Sequence, residues 1–204
     1  MELGRIASVL KIALIIGSTR PNRFADKPAQ WVADGAKSRR DFKLTTLDLR
    51  DFNLPFFAEP VSPMFANGVF TQPAAEAWRK KIGAFDGYIM TAAEYNHGPT
   101  AVLKNALDYA FYEWNNKPVG FVGYGGVGGA RAVEQLRLIA IELQMAPIKN
   151  AVHITLGPFL AVLQGQASLE SFEQLNKART ALFDQLVWWA RALKGARELA
   201  LAAE

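Results

Sequence analysis

Five apolar runs alternate with amphipathic stretches along the 204 residues, and few architectures accommodate that pattern. The runs are Leu10–Ile16, Phe42–Leu49, Tyr88–Ala92, Val119–Tyr124 and Ile148–Leu156. Most are continuous and read as strands buried on both faces. Phe42–Leu49 alternates apolar with polar residues, which suits a strand nearer the sheet edge. Helical spacing occupies the intervals: Ala25–Arg39, with Ala29, Val32, Ala33 and Ala36 on one face, then Ala74–Phe85, Pro99–Tyr112 and Gly129–Leu143. Pro158–Gly165 reads as a loop, and Ser168 as the N-cap of a last helix running to about Leu193. Strand–helix alternation predicts an α/β domain with a parallel sheet between two helical layers. Right-handed crossovers narrow the topology further. A single domain over residues 1–204 is expected, with no internal repeat.

Composition removes several function classes. The chain has no cysteine, which excludes disulfides, thiolate metal sites and a cysteine nucleophile. Its two histidines, His97 and His153, are too few for a histidine-based metal site. Net charge is +4, but the Lys and Arg residues are scattered, so no nucleic-acid face is predicted. Neither a signal peptide nor an apolar run long enough to cross a membrane is visible, and a cytoplasmic protein is expected.

Three polar loops follow the first, third and fourth strands. In open α/β sheets ligands bind at that edge. The first loop, Gly17-Ser18-Thr19-Arg20-Pro21-Asn22-Arg23, joins hydroxyls, guanidinium groups and the start of a helix into a phosphate cradle. It lacks the GKS or GKT ending of a nucleotide P-loop and is not GxGxxG, so a mononucleotide such as FMN suits it better than a dinucleotide. The same residues also read as a turn capped by Ser18 with two solvated arginines. The second loop, Glu94-Tyr95-Asn96-His97-Gly98, offers main-chain donors and acceptors to the pyrimidine edge of a flavin, and an aromatic ring to its plane. It also reads as a turn with Asn96 capping the next helix and His97 as a capping or packing residue. The third loop, Gly123-Tyr124-Gly125-Gly126-Val127-Gly128-Gly129, lets main-chain N–H groups approach a flat ligand, or serves as a flexible strand-to-helix turn. Loops after strands one, three and four fit the flavodoxin-like five-strand order 2-1-3-4-5.

These motifs together resemble the NADPH-dependent FMN reductase family, the flavodoxin-like flavoproteins that include quinone, chromate and azo-dye reductases. The likeness rests on GSTRPNR, on DLRDFNLPFF after the second strand, on EYNHGP with LKNALDY, and on KPVGFVGYGGVGGARAVEQLR, and it covers roughly Lys11 to Thr155. It implies non-covalent FMN in a three-layer sandwich, NADPH or NADH as hydride donor, and a homodimer or homotetramer. Ser18, Arg20, Asn22, Arg23 and Phe24 then fall in the phosphate-binding stretch. Glu94, Tyr95 and Asn96 belong to the ring-binding loop, and Tyr124, Gly125 and Gly126 to the third. Two positions depart from the usual pattern: Ala93 stands where relatives often carry proline, and Arg23 where many carry a small residue.

The implied reaction passes hydride through the flavin to a quinone, free flavin, azo or nitro compound, or metal oxyanion. It needs no side-chain acid or base, so no catalytic residue is assigned. One shared stacking site implies ping-pong kinetics. The rival reading is a flavodoxin-type electron carrier, and a pI near 9.4 speaks against it because such carriers are strongly acidic. A module that has lost its flavin is a further rival. A serine hydrolase is not expected, since no GxSxG is present. His153 is read as structural. Trp188 and Trp189 cannot both face the core. Phe56-Phe57, in the long Asp51–Pro73 connection, either plug the core or line the ring pocket or the dimer contact.

Overall fold

The computed structural model describes residues 9–66 and 68–202. Six parallel strands form one sheet: β1 (Leu10–Ile16), β2 (Phe42–Asp48), β3 (Gly87–Ala93), β4 (Pro118–Tyr124), β5 (Ala146–Pro147) and β6 (Val152–Ile154). The order is β2-β1-β3-β4, with β5 and β6 both against the outer side of β4. The expected order 2-1-3-4-5 therefore holds, with the fifth strand in two pieces. β4 advances three residues from Val119 to Val122 while the outer strand advances five, from Pro147 to Val152. The surplus is expelled as a bulge whose polar groups find partners elsewhere: Arg137 donates to Ile148 O (2.5 Å) and Lys149 O (2.9 Å), and Asn150 N–H to Gln185 Oε1 (2.7 Å).

The period-two alternation of each strand feeds two cores. Ile12, Leu14, Ile16, Ile89 and Val122 pack under α1 (Asp26–Ala36), α5 (Leu156–Leu163) and α6 (Glu173–Leu201). Ala13, Ile15, Tyr88, Met90 and Phe121 face α2 (Pro73–Gly83), α3 (Ala101–Asp108) and α4 (Ala130–Glu142). Every residue of β3 and β4 is buried, which explains why those runs read as unbroken apolar segments.

Two expectations are corrected. Residues 158–165 are not a loop over their length, because Leu156–Leu163 is helix α5. Gly157 and Pro158 lie in its first turn, where a missing N–H breaks no intrahelical bond. The last helix also starts later and runs further: a 3-10 turn at Leu169–Ser171 intervenes after Ser168, and α6 continues to Leu201. His153 sits in β6 with Nδ1 2.9 Å from Gly128 O. Neither Trp188 nor Trp189 enters a core; they form an edge-to-face pair on the surface of α6.

At the edge of the sheet remote from the three loops, Lys117 is buried and its Nζ donates to Gly83 O (2.9 Å) and Tyr88 Oη (3.3 Å). Burial lowers its amine to about 8. The unfolded chain, with an ordinary lysine, holds that proton more tightly, so stability rises as pH climbs from about 8 towards 10. Denaturant titrations across that range should show a Lys117-dependent gain of roughly 2 kcal/mol, read as the difference between wild type and Lys117→Met.

Candidate functional site

The first loop is held to the sheet by groups from two neighbouring elements. Gly17 N–H donates to Thr91 Oγ1 (2.9 Å), and Gly17 O accepts from Thr100 Oγ1 (2.5 Å). A Cβ on Gly17 would stand 2.2 Å from Thr91 O, so only glycine lets the chain leave β1 here. Ser18 is buried, with its Oγ 3.4 Å from Tyr95 Oη. Asn22 is left-handed (φ 51°) and turns the chain into α1.

The two arginines of this loop have different surroundings. The Arg23 side chain is 3% exposed and pairs with Asp48 and Asp26. Its Nη1 lies 2.7 Å from Asp48 Oδ1 and its Nε 2.8 Å from Asp26 Oδ1. The Asp48 hydrogen bond raises the Arg23 pKa further. Burial pushes the Asp48 carboxyl up, but hydrogen bonds from Arg23 and from Arg50 N–H outweigh it, and the net shift is downward. Arg23 thus ties the loop to the end of β2 with its charge already compensated. Arg20 is exposed and makes no ion pair among the described residues, and its guanidinium lies 6.0 Å from the Tyr95 ring.

The second loop is a type I′ turn. Tyr95 and Gly98 exchange main-chain hydrogen bonds (2.9 and 3.0 Å), and Asn96 (φ 49°) and His97 (φ 70°) are both left-handed. Asn96 does not cap α3. Thr100 does, accepting from Leu103 N–H at 3.2 Å. The Glu94 side chain is 6% exposed and paired with Arg131 of α4. In the third loop Gly125, Gly128 and Gly129 all have positive φ. Burial raises the Tyr124 phenol well above its ordinary range, so it is neutral.

Together the loops enclose a cleft with two lobes that share Ser18, Arg20 and Tyr95. The first lobe, about 280 Å³, is walled by Asn22, Arg23, Phe24, Glu94, Tyr124, Gly125, and by Phe159 and Leu163 of α5. The second, about 390 Å³, lies against Leu54, Phe56 and the start of α3. All the expected site residues except Asn96 and Gly126 line the first lobe. Phe159, whose ring plane is within 9° of Tyr124 and whose centroid is 4.5 Å from Phe24, escaped the sequence reading because its segment looked like a loop. The Phe56-Phe57 pair divides its roles. Phe57 packs on Tyr109 (5.2 Å between centroids) and the core, while Phe56, 82% exposed, lines the second lobe. Asn105 brackets Phe56 by donating to Pro55 O (2.7 Å) and accepting from Phe57 N–H (2.8 Å).

Among the described residues no cluster of potential metal ligands occurs, and no helix is long and apolar enough to cross a membrane. The cleft offers the Arg20 guanidinium, hydroxyls and aromatic walls. That donor set suits a ligand with a phosphate at one end and a flat ring at the other, and the lobe sizes are those of ordinary ligand sites.

Residues 10–158 match the family described as NADPH-dependent FMN reductase. The chain is 36% identical over 182 residues to an NAD(P)H-dependent FMN reductase of Schizosaccharomyces pombe, covering 86% of this chain and 90% of that one. It is 29% identical over 179 residues to an NADPH:quinone oxidoreductase of Arabidopsis thaliana, covering 85% and 88%. Among solved structures, the NAD(P)H:acceptor flavoenzyme FerB of Paracoccus denitrificans shares the fold, with a TM-score of 0.70 at 20% identity, over 90% of this chain and 98% of that one.

Proposed function

Because the chain belongs to the NADPH-dependent FMN reductase family, we propose that the two-lobed cleft is its flavin and substrate site. The protein is an oxidoreductase that uses FMN as cofactor and NADPH or NADH as donor. FMN, when bound, supplies two-electron redox chemistry between the reduced nicotinamide and an acceptor such as a quinone, free flavin, azo or nitro compound, or metal oxyanion. The protein's part is binding and orientation. Arg20 carries the reading: it is a cation at the junction of both lobes, with no counter-ion among the described residues. With Ser18, Thr19 and Asn22 it would hold the phosphate. Arg23 shapes that loop from behind, through Asp48. Tyr95, Tyr124 and the main chain of Glu94 and Gly125 would hold the ring. Asn96 and Gly126 lie outside the lobes, and their main chains extend the rim. The second lobe, with Phe56 as an exposed apolar platform, would admit the second substrate.

Purified protein incubated with FMN and freed of excess should remain yellow. Anaerobic NADPH should bleach it, and initial rates at several acceptor concentrations should give parallel lines. A colourless protein would overturn the assignment of the cleft. A yellow protein that NADPH leaves unchanged would return the electron-carrier reading. We further propose that the protein is cytoplasmic and assembles as a homodimer or homotetramer. Exposed Leu138 and Ile141 on α4 and Trp188 on α6 supply apolar surface for self-association, which sedimentation analysis can measure.

A further inference from the structure

We propose that Arg131, in the first turn of α4, is a positioning residue that holds the Tyr95 turn at the rim of the cleft. The inference rests on the cleft being the flavin site. Arg131 lines neither lobe. Its main-chain N–H donates to Glu94 Oε2 (3.1 Å), its Nε donates to Glu94 Oε1 (2.5 Å), and its Nη1 lies 2.6 Å from His97 Nε2. One turn further along α4, Gln135 donates from Nε2 to His97 O (2.7 Å). Both ends of the segment that carries Tyr95 are therefore fastened to one helix.

The chemistry of these contacts sets their direction. A guanidinium has only donors, so His97 Nε2 accepts and the ring proton resides on Nδ1. The Glu94 carboxylate sits at the N-terminus of α4, where the main-chain N–H and the helix dipole favour negative charge. Such a hold is needed here. Asn96 and His97 are consecutive left-handed residues, and a histidine with positive φ stays there only when its surroundings impose it. The turn they form places Tyr95 between the lobes, with its hydroxyl 3.4 Å from Ser18 Oγ. α4 thereby governs the aromatic ring at the junction without touching a ligand.

The test compares the affinities of wild type, Arg131→Met, His97→Leu and His97→Gln for FMN and for riboflavin, by titration of flavin fluorescence, alongside thermal melts. Arg131→Met and His97→Leu should weaken both flavins by the same factor, about tenfold, because the ring contact is disturbed and the phosphate contact is not. His97→Gln should bind within about twofold of wild type, since its amide oxygen can accept from Arg131. His97 is exposed, so its variants keep the test open if Arg131→Met fails to fold. Wild-type affinity in Arg131→Met or His97→Leu, or equal losses in His97→Gln and His97→Leu, would overturn the positioning role. If wild type itself binds neither flavin, the cleft assignment fails instead.

Discussion

Arg20→Met should lower the affinity for FMN by one to two orders of magnitude and leave that for riboflavin where it was. A hydrogen bond to a charged group contributes roughly 1.5–3 kcal/mol, which converts to about 10- to 150-fold in a dissociation constant. The effect should be near the upper end because Arg20 has no carboxylate partner among the described residues to release when the ligand arrives. Riboflavin has no phosphate, so it should not register the loss. Arg23→Met should behave differently. Its guanidinium is buried against Asp48 and Asp26, so removal strands two carboxylates and loosens the loop from β2. That variant should lose folding stability and bind both flavins less well. Fluorescence titration of the two flavins against each variant separates these patterns, and equal losses of FMN and riboflavin in Arg20→Met would remove Arg20 from the phosphate site.

The contrast between these arginines marks the limit of what local sequence shows. Five strands, their order and three rim loops were legible because each is encoded nearby: unbroken apolar runs for β3 and β4, glycines where β1 and β4 end, and alternation with helical spacing. The pairing of Arg23 with Asp48, 25 residues away, leaves no local trace, so both arginines of GSTRPNR read alike. The Arg131–His97 contact spans 34 residues and was equally hidden. In α5 a local signal misled. Gly157-Pro158 marks a break in most contexts, yet in a first helical turn it costs little, and the helix carries Phe159 into the cleft wall. The outer strand reads as one run, and only its pairing with β4 shows the bulge.

Gly129→Ala should destabilise the protein by roughly 3 kcal/mol or more. Two costs add. Gly129 has φ of 70°, a conformation that costs an L-residue about 1–2 kcal/mol. A Cβ built there would also lie 2.7 Å from Tyr124 N, 2.8 Å from Gly123 Cα and 2.9 Å from Ala92 O. All three are main-chain atoms, and Ala92 and Gly123 are register partners across β3 and β4. They cannot withdraw without opening the central strand pair, so overpacking adds about 1–3 kcal/mol. Gly129 is the N-cap of α4, and any shift that relieves the contact also displaces Arg131 and slackens its hold on the Tyr95 turn. Gly126→Ala is the matched control. No heavy atom lies within 4 Å of its added Cβ and its φ is not positive, so its stability should stay within about 0.5 kcal/mol of wild type. Urea unfolding of the two variants decides between steric packing and a general intolerance of the loop to side chains. Equal stability losses at 126 and 129 would mean that the glycines serve chain flexibility, and the close approach of Gly129 to the sheet would not be what requires them.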